Sequence, residues 1–208
     1  MKKNPLLPIL LGSLCLLFIS YGTAGATTLG FNTTSLNIVQ GSSFSVDLVV
    51  DPEGALISAF DVDILYNTSQ MSFDGYTLGT YLGDVNFFEA MDLSGGDLGG
   101  GIIDLAELSL IDIDDPFYPG GLADLQPQLP FTLATLNFTC LSIGTSFISI
   151  DGSDPWLTLG DENGDPLTIT SLGSVEVNQT PVPEPATMLL LGTGLAGLAG
   201  SRMRRKKK

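Results

Sequence analysis

Apolar and polar residues alternate with a period of two along most of the middle of the chain. The alternation is clearest in residues 44–50, 60–66 and 136–140, where every second residue is apolar. Successive side chains of a β-strand point to opposite faces, so these runs predict strands with one face toward a core and one toward water. Turn clusters rich in Gly, Pro, Asn, Asp and Ser separate the runs. The pattern predicts an all-β fold, a sandwich or jelly roll, in which only residues 80–91 are compatible with a short helix.

The charges are segregated along the chain. No Lys, Arg or His occurs between Thr27 and Val182, whereas 22 of the 23 acidic residues lie there. A body without cations cannot neutralise phosphates, which excludes nucleic acid as a partner. It also excludes a Ser-His-Asp triad, a His-ligated zinc site and a Walker lysine. A glycosidase with paired carboxylates is compatible with this composition, but nothing selects two acids among the 22, and we expect no enzyme activity.

The first 26 residues have the three parts of a secretory signal peptide. Lys2 and Lys3 precede a short apolar run at 6–19, and Ala24-Gly25-Ala26 supplies small residues for cleavage before Thr27. An uncleaved anchor helix is the alternative, but the run is short for a membrane span. The sequence therefore predicts an exported protein.

The C-terminal segment, residues 179–208, predicts a sorting signal. Its motif at 182–186 contains Pro183, Glu184 and Pro185, and an apolar stretch follows at 186–200. Fifteen residues at ~1.5 Å each form a helix of about 22 Å, shorter than the ~30 Å hydrocarbon core, so we expect a short transmembrane helix that anchors weakly. A basic tail at 202–208 should remain on the cytoplasmic side; its cations are Arg202, Arg204, Arg205, Lys206, Lys207 and Lys208.

The Pro-Glu-Pro triplet, the short apolar helix and the terminal basic cluster together resemble the PEP-CTERM sorting signal of Gram-negative bacteria. The resemblance implies that an exosortase, a membrane-embedded cysteine peptidase, recognises the triplet. It also implies transient residence in the inner membrane, followed by transfer to the cell surface or the extracellular matrix. This chain would be the substrate of that pathway.

Residues 27–178 are predicted to form one domain, and several of its segments resemble cohesin modules. These segments are Ser58–Asn67 with Met71-Ser72-Phe73, Phe131–Thr139 with Gly144-Thr145-Ser146, and the stretch 161–177. The resemblance implies a jelly-roll β-sandwich related to carbohydrate-binding modules. Cohesins hold dockerins in cellulosomes, but versions with a PEP-CTERM tail occur without cellulosomes, so the fold does not identify a partner.

Calcium is the one cofactor that the residues suggest, because 22 acids without bases favour a divalent counter-ion. Asp161, Asn163 and Asp165 have the spacing that begins an EF-hand loop, but Pro166 replaces the required Gly and Leu172 the final Glu. A plain turn is therefore the favoured interpretation of this segment. Two further acidic groups could contribute ligands from other loops: Asp112, Asp114 and Asp115, and Asp151 with Asp154.

Two aromatic residues lie beside turn residues and are candidates for stacking on a sugar ring. Trp156 follows Asp154-Pro155, and Tyr118 lies in the segment 115–120. Burial against the edge of the core is the alternative and favoured interpretation of both rings.

These observations predict a non-catalytic surface or matrix module that acts in adhesion or in exopolysaccharide and biofilm association. Its partners would be the exosortase and either an exopolysaccharide or a surface protein. Two alternatives remain open: a carbohydrate-binding or hydrolytic module that uses Trp156 and Tyr118, and a protein–protein coupling module.

Overall fold

A computed structural model describes residues 27–112, 115–182 and 186–205. The predicted signal peptide, the triplet at 183–185, Asp114 and the lysines at 206–208 lie outside the described residues. The described residues form one α-helix and thirteen strands. The strands are β1 Thr28–Phe31, β2 Ser35–Val39, β3 Ser43–Asp51, β4 Ile57–Leu65, β5 Met71–Leu78, β6 Ala90–Asp92, β7 Gly96–Gly99, β8 Ile102–Ser109, β9 Phe131–Cys140, β10 Gly144–Ile150, β11 Thr158–Asp161, β12 Ser171–Leu172 and β13 Ser174–Thr180; the helix is α1 Ala186–Arg205.

Two sheets face each other and confirm the predicted all-β sandwich. The smaller sheet has the order β12-β1-β3-β9-β5. The larger sheet has the order β2-β13-β10-β4-β8-β6, with β11 pairing with β4 and β7 with β8. Most pairs are antiparallel, and β1–β12 and β2–β13 are parallel.

The core lies between the sheets and is built from the apolar members of the alternating runs. From Val46 onward in β3 and from Phe60 onward in β4, every second residue is buried, and the central strand β9 contributes further apolar side chains. Each fully buried aliphatic or aromatic side chain stabilises the fold by roughly 1.5–3 kcal/mol. Toward one end of the core, four aromatic rings pack with centroid separations of 5.5–6.4 Å: Phe44, Tyr66, Phe73 and Phe138.

The strand directions define two ends of the sandwich. At the tail end β13 finishes at Thr180, whose carbonyl accepts a hydrogen bond from Gln40 N–H at 2.8 Å, and the turns at 66–70 and 141–144 lie beside it. At the opposite, distal end β4 and β9 begin and β8 finishes. Because β13 leads into the C-terminal segment, the chain leaves the body at the tail end.

The segment 80–91 does not form the short helix that its composition allows. It contains a single 3-10 turn at Val85–Phe87 and then enters β6. Gly83 has φ +123° and Phe88 has φ 62°, and these left-handed conformations interrupt a right-handed helix on both sides of the turn.

Helix α1 begins where the sequence predicts and continues past residue 200 to Arg205. Its described side chains, 190–198 and Arg202, are exposed. Within the described part of the chain, no helix combines the length and the apolar character required to cross a membrane.

Candidate functional site

Five aspartates converge on the outer face of the larger sheet, which we call the acidic face: Asp61, Asp63, Asp104, Asp151 and Asp154. Asp61 and Asp63 are the outward members of β4, because Phe60, Val62 and Ile64 point into the core. Strand β8 places Asp104 directly opposite Asp63. Asp151 joins them because its N–H donates to the carbonyl of Asp63 at 2.8 Å.

Two residues of the acidic face, Asp61 and Asp63, have raised pKa values. The pKa of Asp61 is raised by partial burial and then by Asp104 and Asp154. The pKa of Asp63 is raised by partial burial, then by Asp154 and Asp104, and less by Asp151 and Asp61. Like charges opposite each other on neighbouring strands destabilise a sheet, and the body has no Lys, Arg or His to offset them. A cationic group brought by another molecule would relieve this repulsion.

Trp156 lies at the edge of the acidic face. Strand β4 changes partner from β10 to β11 near Asp63, and the loop 151–157 bridges this change. The Asp154 carboxylate accepts the backbone N–H of Trp156 at 2.9 Å, and Trp156 is 74% exposed. The side chain of Trp156 is therefore largely open to solvent, and it is not folded onto the core edge.

Tyr118, the other candidate for stacking on a sugar, lies in a different region, in the loop between β8 and β9 at the distal end. It is half-buried, and its hydroxyl donates to Glu89 Oε1 at 3.3 Å. Partial burial raises the pKa of the Tyr118 phenol, and Glu89 raises it further. The structure thus does not bring Tyr118 and Trp156 together on one platform.

A cleft of about 540 Å³ opens at the distal end. The start of β4 contributes Ser58, the loop after β8 contributes Asp112, and the loop after β11 contributes residues 162–164. The structure therefore brings an acidic loop to the proposed calcium segment, an arrangement that sequence spacing cannot reveal.

Within the proposed calcium segment, Asp161 supports the turn. Its Oδ1 accepts the N–H groups of Asn163 at 2.8 Å and Asp165 at 2.9 Å. These hydrogen bonds, that from Asp165 first, lower the pKa of Asp161. In the described ranges no three His, Cys, Asp or Glu side chains are grouped to hold a metal. Calcium binding by Asp161, Asn163 and Asp165 remains a prediction.

Glu107 is a buried acid that the sequence pattern does not reveal. It follows Ile103 and Leu105 on the core-facing side of β8, its side chain is only 1% exposed, and neither carboxylate oxygen has a hydrogen-bond partner. Burial raises its pKa from 4.5 to about 8, with a smaller contribution from Asp92. The position in the alternation shows which face Glu107 occupies, but the lack of a partner depends on neighbouring strands.

Comparison with known proteins identifies the C-terminal segment. The family model for the PEP-CTERM protein-sorting motif matches residues 181–206. The motif implies an exported protein that is sorted through the membrane and processed by an exosortase. No curated protein matches the chain.

Solved structures similar to the body include several cohesin modules. CaCohA2 from Clostridium acetobutylicum is 17% identical, with a TM-score of 0.57 over 76% of this chain and 92% of that one. A cohesin module from a Clostridium perfringens family 33 glycoside hydrolase is 15% identical, with a TM-score of 0.54 over 76% and 98%. The cohesin of a type I cohesin–dockerin complex from Clostridium thermocellum is 11% identical, with a TM-score of 0.55 over 74% and 99%.

The body therefore has a cohesin-like β-sandwich fold. The chain combines that body with a C-terminal PEP-CTERM sorting motif.

Proposed function

We propose that this protein is an exported, non-catalytic coupling module that holds a partner protein at the surface or in the matrix of a Gram-negative bacterium. The acidic face carries the proposal. Five half-buried carboxylates on the outer side of a sheet, with the pKa values of Asp61 and Asp63 raised, form a surface that a basic partner would stabilise. The cohesin of the C. thermocellum complex binds a dockerin. That precedent supports a coupling role for the same fold here.

The sorting tail supports delivery to the outside of the cell. Export requires the predicted signal peptide, and exosortase processing would remove the tail near Pro183–Pro185 and release the body. Intact mass measured on each fraction of the native host tests this step. We expect a body that starts at Thr27 and lacks the basic tail in the surface or matrix fraction. A tail-bearing chain retained in the inner membrane would contradict release.

Cross-linking in the native host, followed by purification of the protein, tests the coupling role. We expect a defined partner, and the paired substitutions Asp61→Asn and Asp63→Asn should weaken its recovery. Ser149→Ala on neighbouring β10 is a matched control that removes no charge. Recovery of the protein without a partner, or equal recovery with the charge variants, would contradict coupling through the acidic face.

A more specific form of the proposal is that the exported protein adheres to exopolysaccharide. The acidic body would repel an acidic glycan, so contact would require bridging calcium or neutral sugars. EDTA should then release the protein from an anionic matrix. Binding to an anionic glycan that EDTA does not affect would refute the calcium-bridged version.

Carbohydrate binding is a second candidate because of the exposed indole of Trp156. An exposed flat ring offers a stacking surface for a sugar, and Asp154, which accepts the backbone N–H of Trp156, is a polar residue nearby in the same loop. Saturable binding to a neutral oligosaccharide, lost on Trp156→Ala and kept on Phe147→Ala, would favour this function over coupling. Equal binding by the wild type and Trp156→Ala would exclude the indole as the stacking surface.

A further inference from the structure

Three phenylalanine rings and one leucine form an exposed apolar surface at the distal end, which we call the distal patch: Phe87, Phe88, Leu110 and Phe117. Phe87 is 73% exposed, Phe88 86% and Phe117 84%. They surround a depression of about 460 Å³ that Glu89 and Asp115 border. Three large apolar rings exposed side by side are typical of an interaction surface.

The loop that carries Phe87 and Phe88 is held rigidly. Asp84 Oδ1 accepts the N–H of Asn86 at 2.8 Å, and the N–H of Asp84 donates to Glu89 Oε2 at 3.0 Å. Phe88 has φ 62°, a left-handed conformation that bulky residues rarely adopt, and its ring faces solvent. The strained backbone costs free energy, and the exposed ring of Phe88 buries no apolar surface that would offset this cost. This combination points to a binding role.

Glu89 connects this loop to the one that carries Phe117. Its Oε2 receives the Asp84 N–H, and its Oε1 receives the Tyr118 hydroxyl at 3.3 Å. Glu89 therefore links the two halves of the distal patch through one hydrogen bond to each loop. Such preorganisation lowers the entropy lost on binding.

The position of the distal patch argues against a membrane as its occupant. The C-terminal segment leaves at the tail end, and the ten residues of β9 separate the two ends by roughly 33 Å. While the sorting tail holds the chain in the membrane, the distal patch lies at the end of the body opposite the point where the tail emerges. The distal patch is therefore the part of the body farthest from the exit of the tail, where a soluble partner can reach it.

The chemistry of the rim distinguishes a protein from a sugar. Both oxygens of Glu89 accept internal hydrogen bonds, and Asp115 Oδ1 accepts the N–H groups of Phe117 at 2.8 Å and Tyr118 at 3.3 Å. The acceptor sites that remain on these two residues belong to carboxylates, which bind cations more strongly than neutral sugar hydroxyls, and phenylalanine offers no polar group. The negative charge of the rim persists, however, and rings beside carboxylates attract Arg and Lys through cation–π and ionic contacts.

We propose that the distal patch docks a segment of a partner protein in which Arg or Lys residues alternate with apolar ones. The apolar side chains fill the depression between the phenylalanines, and the basic side chains lie over the ring faces and the rim carboxylates. The inference rests on the proposed coupling function and assigns it a second surface, separate from the acidic face.

The experiment uses the full chain in phosphatidylcholine nanodiscs and two fluorescein-labelled peptides, one alternating Leu with Arg and one alternating Leu with Glu. Fluorescence anisotropy at physiological salt measures their affinities. The test variant combines Phe88→Gly, which the left-handed backbone accommodates, with Phe117→Ser. The matched control is Ile143→Ser, an exposed apolar residue at the tail end. Circular dichroism verifies that each variant is folded.

We expect the Leu/Arg peptide to bind the wild type and Ile143→Ser equally, and the phenylalanine variant at least about tenfold more weakly. The Leu/Glu peptide should not bind. Equal binding of the Leu/Arg peptide by the phenylalanine variant overturns the proposal. If Asp61→Asn with Asp63→Asn then abolishes that binding, the acidic face binds the peptide, and the proposed function survives without the distal patch.

Cellohexaose provides the test against a sugar ligand. We expect no competition with the Leu/Arg peptide. Binding of cellohexaose that Phe88→Gly and Phe117→Ser abolish would make the distal patch a glycan site and overturn the assignment to a protein segment. Loss of the host partner on cross-linking with the phenylalanine variant, and not with Ile143→Ser, would extend the result to the native partner.

Discussion

Substitution of Glu107 by Gln tests the most unfavourable group in the core. Glu107 lies on β8 opposite Phe60 of β4 and Asp92 of β6, so hydrocarbon faces it on one side and a carboxylate on the other. Asp92 itself accepts the Tyr76 hydroxyl at 2.9 Å and the Ser94 N–H at 3.0 Å. Nothing facing Glu107 in the described structure offers it a hydrogen bond.

The raised pKa makes the folded state sensitive to pH in a defined window. Folding shifts the pKa of Glu107 from 4.5 to about 8, so the folded protein retains a proton that the unfolded chain releases. Stability should therefore fall as pH rises between these two values and be independent of this group outside them. At ~1.36 kcal/mol per pH unit, the free energy of unfolding should drop by about 4 kcal/mol between pH 4.5 and 8 through Glu107 alone.

Glu107→Gln keeps the shape of the side chain and removes its ionisation. Urea unfolding at pH 4.5 and at pH 8, followed by circular dichroism, gives the free energy of unfolding of both proteins. We subtract the free energy of unfolding of the wild type from that of the variant at each pH. This difference should be about 4 kcal/mol larger at pH 8 than at pH 4.5. The double difference cancels the titration of the other acids. Phe147→Leu, an exposed position on β10, serves as a control that changes no charge.

A parallel pH dependence of wild type and Glu107→Gln would refute this reasoning. It would mean that the Glu107 carboxylate reaches water or a polar partner when it ionises. A change of about 4 kcal/mol is a large fraction of the 5–15 kcal/mol that stabilises an ordinary domain, so the assay has ample range.

Three further predictions concern Gln126, Phe88 and Asp63. Gln126→Leu should lower the free energy of unfolding by about 3 kcal/mol in urea titrations, because the Gln126 amide pairs with both backbone polar groups of buried Ile57. Phe88→Gly alone should raise stability by about 1 kcal/mol, because glycine tolerates φ 62°, and an unchanged urea midpoint would argue against backbone strain. Asp63→Asn should raise the melting temperature slightly at neutral pH by removing repulsion from Asp154 and Asp104, with solvent screening keeping the gain below ~1 kcal/mol; a lower melting temperature would contradict net repulsion on the acidic face.

The alternation of side chains made the fold predictable because burial and period-two patterning coincide in the long strands. Val46, Leu48 and Val50 are fully buried, as their spacing requires, and β9 behaves in the same way. The short strands β6 and β7 were not predicted, because three or four residues of mixed polarity are too few to show an alternation of apolar and polar side chains. The segment 80–91 was ambiguous for another reason. Its apolar content fits a helix, and of the two left-handed residues that interrupt it, only Gly83 is of a type that signals a break, whereas Phe88 is not.

Only part of the acidic face could be predicted from the sequence. Asp61 and Asp63 must share a face because they are two residues apart in one strand. Asp104 and Asp154 reach them only through the choice of neighbouring strands and the position of a loop, and local sequence does not encode either. The same limitation explains why the sequence left open which acidic loops meet, whereas the structure shows Asp112 and residues 162–164 lining one cleft.

Topology also gives the two candidate surfaces different geometric roles. Strand β13 leads to the sorting tail, while the loops that follow β5 and β8 carry the distal patch at the opposite end. The acidic face lies along the flank between the two ends, on β4 and β8. A partner that docks on the distal patch would have the acidic flank beside it, available to the basic residues of the same partner. Long-range attraction from the flank would raise the rate of encounter, and the phenylalanines would slow dissociation, so substitutions at the two surfaces should separate into effects on association and on dissociation.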